Sequence, residues 1–341
     1  MSFFPLSSLQ EWAPFRIDAL GLVTILGADR VDLVLGQLAQ SYLTEWLPLL
    51  GAYTIASNRI VEPLPGFSLF NISDGIMAND LAGWFSRWLL CQDFAFCSSV
   101  VQITPVLQPR RQKLLHVFCA GGLATFTLVP IMLSILITDW WGLVNGVAML
   151  GSVIVRQTVV GQSRRAIDIS VDKSEKTSCE LVKVLVAIPD GKVVTVHTTR
   201  GIIIDCLLTT PRPPNPTLYT VTRAAGWLCF GVHIISLGMA SLVCQLVTVA
   251  ILVGPTLLVA WQIGVDVKHI GRKLELTHSD SGVPFRAAAY ARLSLTPKEE
   301  DSMLLWNLFP HRSNQVWWSK YVKVKESGDF GSWDQELANS K

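Results

Sequence analysis

Hydrophobic and polar positions along this chain sort into long apolar runs set between charged feet. From Ala224 to Val265 there is no aspartate, glutamate, lysine or arginine, and one histidine, His233. An apolar run beyond about 18 residues reads as a membrane span, and a crossing takes about 20. This run is long enough for two spans, Ala224–Leu242 and Val243–Val265, closed as a hairpin. Arg223 precedes it, and Lys268, Arg272 and Lys273 follow it. Trp227 and Trp261 stand just inside its ends, where an interfacial aromatic belt is expected.

A second hairpin has the same layout. Leu114–Thr138 carries no acid or base except His116, with Pro130 as a kink; Asp139-Trp140-Trp141 makes a polar and aromatic tip, and Gly142–Val155 returns. Its feet are Arg110, Arg111 and Lys113 on one flank and Arg156, Arg164 and Arg165 on the other. The positive-inside rule places the feet of both hairpins in the cytosol, with both tips pointing away from it.

Two further segments are apolar but interrupted. Leu33–Tyr53 (33–53) contains Gln37, Gln40, Ser41, Thr44 and Glu45, and Trp84–Val106 (84–106) contains Arg87 and Asp93. A charge near a helix centre costs about 2.5–3.5 kcal/mol to insert. If both segments cross, the loop 58–83 is non-cytosolic and offers a glycosylation acceptor at Asn71-Ile72-Ser73. Six spans, and four spans with an interfacial N-terminal region, both follow from this pattern.

Between the hairpins the pattern changes to period two. Leu181–Ile188 and Lys192–Thr198 are rich in β-branched residues and flank Pro189-Asp190-Gly191, which predicts a β-hairpin. Ile202–Leu208 predicts a third strand, and Pro211, Pro213, Pro214 and Pro216 a stiff connector. After Val265 the chain turns polar. Thr296-Pro297-Lys298-Glu299 predicts a capped helix start. Leu304–Tyr321 mixes Trp306, Phe309, Trp317, Trp318 and Tyr321 with His311, Arg312 and Lys320, a composition suited to a segment lying on headgroups.

The expected fold class is therefore mainly α: polytopic membrane helices, four or six, with a small cytosolic β-rich insert and an amphipathic C-terminal tail. The expected domains are an N-terminal region 1–113, a membrane hairpin 114–156, the insert and connector 157–218, a second hairpin 219–265 and a cytosolic or interfacial tail 266–341. Both termini are expected in the cytosol.

Composition agrees with a membrane protein. Half of the residues are apolar and 16% are charged, where a soluble domain carries about 25% charged. The net charge of +2 and the lack of a basic, aromatic-lined run argue against nucleic acid as a partner. The expected partners are the lipid bilayer and proteins meeting the insert and tail. Seven cysteines without a CxxC pair suggest neither a metal site nor a disulfide framework. Met1-Ser-Phe-Phe-Pro-Leu lacks the form of a signal peptide, so internal spans are expected to direct insertion.

Candidate chemistry is sparse. Glu299-Glu300-Asp301 falls in a first helical turn, where carboxylates complement the dipole. Asn145, Gln245 and Gln262 suit hydrogen bonds between helices, whereas His116 and His233 lie on spans, and intramembrane polar groups are often functional. Glu45 and Asp93, held at membrane depth, would stay neutral and could protonate an alkene or epoxide, as an acid-initiated terpene cyclase requires. The catalytic candidates are thus Glu45, Asp93 and His233, and Asn71 is the glycosylation candidate. No cofactor is expected: phosphate-binding glycine loops, HExxH, GxSxG and aspartate-rich diphosphate motifs are all missing. For a transporter, Pro130 and Gly254-Pro255 are the hints of broken helices.

Ile202–Thr210, Arg286–Leu295 (RAAAYARLSL) and Leu308–Trp318 (LFPHRSNQVWW) resemble stretches of uncharacterised multi-pass membrane proteins of filamentous fungi. The resemblance covers roughly the second half of the chain. It implies a membrane protein of fungal origin and carries over no catalytic residue. Some small fungal membrane proteins, terpene cyclases among them, serve specialised metabolism, but no cyclase motif is matched. The expected function is a non-catalytic membrane anchor or organiser, with a membrane enzyme acting on a lipophilic isoprenoid and a small transporter as alternatives.

Overall fold

The structure, a computed structural model, describes residues 11, 28–41, 44–50, 52–95, 97, 99–106, 125–280 and 285–333. The N-terminal hexapeptide, His116, the feet Arg110, Arg111 and Lys113, and the first part of Leu114–Thr138 lie outside the described residues.

The described elements, in chain order, begin with α1 (Ala28–Gly36), β1 (Ala39–Ser41), α2 (Ala52–Ala56), β2 (Ser68–Asn71), β3 (Ile76–Ala78), α3 (Gly83–Cys91) and β4 (Ser99–Pro105). Next come α4 (Val129–Ile137), α5 (Trp140–Thr177), β5 (Leu181–Ala187), β6 (Val193–Thr199), α6 (Pro216–Met239) and α7 (Leu242–Ala260). The chain continues with β7 (Val265–Ile270), β8 (Leu274–Asp280), α8 (Arg286–Arg292), α9 (Pro297–Leu305) and α10 (Gln315–Ser327).

These elements overturn the mainly helical, polytopic fold class. Among the described residues there are eight strands, and three helices long and apolar enough to cross a membrane: α5, α6 and α7. The segment Leu33–Tyr53 is broken into the end of α1, β1 and turns, and Trp84–Val106 is α3 followed by β4. Neither is a span: a buried strand and a buried short helix give a largely apolar run that resembles an interrupted membrane helix. Ile202–Leu208 is also not a strand: a short helical turn leads into a π-helix, Ile203–Leu208.

Two compact units divide the chain. The first gathers Met1–Glu62, Leu107–Ile169 and Pro211–Lys273. Its long helices measure about 36 Å (α6, 24 residues) and 28 Å (α7, 19 residues) at ~1.5 Å per residue, against a hydrocarbon core of about 30 Å. Apolar side chains such as Trp140, Val147, Leu228, Ile235, Met239 and Leu257 remain exposed. At the helix tips the buried Asp139 caps α5, accepting from the Gly142 amide at 3.0 Å, while its other oxygen accepts from the Ser241 amide at 2.6 Å. The turn between α6 and α7 thereby joins the start of α5. Close approach there depends on small residues: a Cβ on Gly142 would stand 2.6 Å from Ser134 Oγ and 2.9 Å from Cys244 Sγ. Further down, Asn145 Nδ2 donates to Thr248 Oγ1 at 2.9 Å, which is the amide bridging expected of intramembrane polar residues. Gln245 instead caps α6, donating to the Leu237 and Ala240 carbonyls.

The second unit gathers Pro63–Val106, Ser170–Thr210 and Leu274–Lys341. Its strands form a mixed sheet in the order β8-β4-β6-β5-β2-β3, with β4 parallel to β6 and the other pairs antiparallel. The β5–β6 hairpin closes where Pro-Asp-Gly predicts it, with Gly191 at φ 86°, a left-handed conformation that favours glycine. Alternate positions Val182, Val184, Val186, Val194, Val196, Val101, Ile103 and Leu276 are buried, which accounts for the period-two pattern. On the opposite face Phe70, Leu185 and Val193 join a core with Tyr290, Met303, Phe309, Tyr321 and Trp333. The aromatic tail is thus the second core of a sheet. Phe309 sits at its centre, 5.1–5.4 Å from the rings of Tyr290, Trp317, Trp318 and Tyr321. The predicted helix start is a full capping box between Thr296 and Glu299.

Candidate functional site

The most informative cavity lies in the first unit. Helix α5 presents Met149, Ser152, Val153 and Arg156 at spacings i, i+3, i+4 and i+7, which puts them on one stripe of the helix. Against this stripe stand His233 of α6, Leu252 of α7, Val31 and Leu35 of α1, and the segment Pro48–Leu50. The cavity has a volume of about 30 Å³ and opens into a wider, unfilled mouth. A water needs ~10–15 Å³ of such space, so one oxygen-sized group fits and a large substrate does not.

Two polar side chains stand out in this apolar lining. Arg156 is buried, and its Nη2 donates to the carbonyls of Glu45 and Leu47 at 2.6 Å each and of Thr44 at 3.4 Å. It therefore ties α5 to the turn that follows β1. His233 is 7% exposed, and its Nδ1 is buried with no hydrogen-bond partner. A buried polar group without a partner costs about 1–3 kcal/mol, so its position calls for an explanation.

A neighbouring cavity, also about 30 Å³, is lined by Glu45, Arg164, Ser41 and Gln157 and shares Leu35 and Arg156 with the first. Here the Glu45 carboxylate is ion-paired with Arg164, which also donates to the carbonyls of Leu38 at 2.9 Å and Ala39 at 2.7 Å. That is the geometry of a structural anion holding a loop, not of a neutral acid facing a substrate. Asp93 is exposed on the chain after α3 and belongs to the second unit. Within the first unit, Glu45 and His233 line separate cavities.

Asn71 is also placed differently from its sequon. It is buried at the end of β2, and its Nδ2 donates to Asp74 Oδ2 at 2.7 Å, which leaves no room for a glycan in the folded unit. Asp74 in turn accepts from Arg200 Nε at 2.9 Å and from a second guanidinium nitrogen, while Arg200 Nη1 donates to Glu180 at 2.6 Å. Arg200 beside it holds the Asp74 carboxyl below its ordinary value. Lys183 bonds Glu299 at 3.1 Å, tying β5 to α9. Burial alone would raise Glu299, but the Thr296 amide and Lys183 outweigh it and hold this carboxyl low. These charges are structural fasteners of the sheet. Sequence reasoning did not anticipate them, because each joins residues far apart in the chain.

Among the described residues no group of three or more His, Cys, Asp or Glu could hold a metal. Burial pushes the Cys206 thiol up to about 12, which makes it inert rather than nucleophilic. No protein-family model matches the chain, and comparison with curated proteins and with solved structures finds no match.

Proposed function

We propose that this chain is a multi-pass integral membrane protein whose first unit is embedded in the bilayer and whose second unit serves as a non-catalytic anchor or organiser of other proteins. The observation that carries this reading is the sheet of the second unit, whose strands come from three chain segments separated by the apolar helices. Strand backbone cannot be left open in hydrocarbon, so such a sheet lies on one side of a bilayer. Residues 107–169 and 211–273 then each begin and end on that side, and any crossings within either come in pairs. α6 and α7 supply one such out-and-back pair of suitable length. The basic feet assign the common side to the cytosol. An isoprenoid enzyme has less support, since the Glu45 carboxylate is engaged with Arg164. A transporter gains no support from the two cavities described above, each of about 30 Å³.

Sealed microsomes carrying the full chain test the proposal. Alkaline carbonate should leave the protein in the membrane pellet, and its release would end the membrane reading. External protease should treat the 63–106, 181–208 and 285–333 segments alike. If one of them were protected while another was cut, the shared-side argument would fail.

A further inference from the structure

We infer that the cavity at His233 is a binding site for the hydroxyl end of a lipophilic alcohol drawn from the bilayer. The inference rests on the first unit being membrane-embedded. Three observations combine. His233 is more than nine-tenths buried and its Nδ1 has no partner among the described residues. The enclosed space beside it, about 30 Å³, suits a single oxygen-sized group. The rest of the lining is apolar except for Ser152 and Arg156, and the cavity is partly open, so that the hydrocarbon body of an alcohol can extend outward from it.

The chemistry selects an alcohol within that frame. An imidazole nitrogen is an acceptor in one tautomer and a donor in the other, and a hydroxyl can complement either. A carbonyl complements only the donor form, and a hydrocarbon neither. Arg156 directs Nη2 to the carbonyls of the 44–47 turn, and among the described residues of the lining the buried polar side-chain atom without a partner is His233 Nδ1. Small sites of this kind, mostly apolar with a few placed polar groups, are the usual form of a ligand pocket.

The experiment uses the full chain in lipid nanodiscs with two photoreactive probes. One is a long-chain alcohol carrying a diazirine near the hydroxyl; the other is the matching alkane diazirine. The alcohol should label peptides containing Met149–Arg156, His233 or Leu252 about tenfold more than the alkane, the ratio expected for one buried hydrogen bond of about 1.4 kcal/mol. His233→Phe should bring alcohol labelling down to the alkane level, whereas His233→Gln, which keeps a hydrogen-bonding end, should retain most of it. Equal labelling by both probes, full labelling of His233→Phe, or no labelling of these peptides would overturn the assignment. Carbonate retention of each variant is read in parallel, so loss of the site is distinguished from loss of membrane insertion.

Discussion

Replacing Phe309 with alanine separates a tail that packs as protein core from one that lies on headgroups. Phe309 is 4% exposed and touches four aromatic rings at centroid distances of 5.1–5.4 Å. Burying a phenylalanine contributes about 1.5–3 kcal/mol, and the unfilled space left behind raises the cost of Phe→Ala to about 3–5 kcal/mol. The four ring contacts argue for the upper half of that range. Against a typical stability of about 5–15 kcal/mol this is a large fraction. Hydrogen exchange of the full chain in detergent is the assay, because it reads α8, α9 and α10 separately. A loss of about 4 kcal/mol should speed exchange there by roughly a thousandfold. Val316→Ala is the control: Val316 is 83% exposed one position before Trp317, and its truncation should change stability by less than about 0.5 kcal/mol. Were the tail bound to headgroups, Phe309→Ala would weaken vesicle binding and leave exchange unchanged. Exchange within tenfold of wild type, or equal damage from Val316→Ala, would refute the core assignment.

Three more outcomes are expected. Asp74, held low by Arg200, contributes stability that is fully present above the unfolded carboxyl value near ~3.9. That stability is lost as pH falls through the lower folded value, so acid denaturation of wild type should show a slope that Asp74→Asn lacks. Gly201→Ala should destabilise the second unit by about 1–3 kcal/mol or block its folding, since a Cβ there would stand 2.2 Å from the Ser174 carbonyl oxygen, a backbone atom that cannot swing aside; thermal unfolding reads this. Glycosidase treatment of the protein from a eukaryotic host should leave its gel mobility unchanged, because Asn71 is buried within the sheet; a shift abolished by Asn71→Gln would count against the common-side arrangement.

Local signals were legible in the sequence, and long-range ones were not. Pro189-Asp190-Gly191 marked the β5–β6 turn, and Thr296 to Glu299 marked the α9 cap, because each depends on residues within four positions. The α6–α7 break also fell near its expected place, at Ala240 and Ser241. β2, β3, β4 and β8 were missed: they are three to seven residues long, and their pairing partners lie up to 181 positions away, as with Ser99 and Asp280. Arg87 was misjudged although its bond is local. It looks like a charge in a poor span, yet it is buried in α3 with its guanidinium donating to the Gly83 carbonyl at 3.0 Å. In the candidate site His233 was legible as an isolated polar group in an apolar run. Arg156 was legible as a basic foot, but its grip on the 44–47 carbonyls was not, since nothing local encodes it.

The pairing of β4 with β8 also sets a schedule for biogenesis. The ribosome must deliver the whole of α4 through α7 before β8, the antiparallel partner of β4, exists, so that edge of β4 stays bare while about half of the chain is made. Slow, non-local closure of this kind leaves such an edge open to wrong pairing. A chain halted between Ala260 and Leu274 would keep its hydrophobic helices and lack the strand that pairs with β4, and quality control would meet it as an aggregation-prone stub.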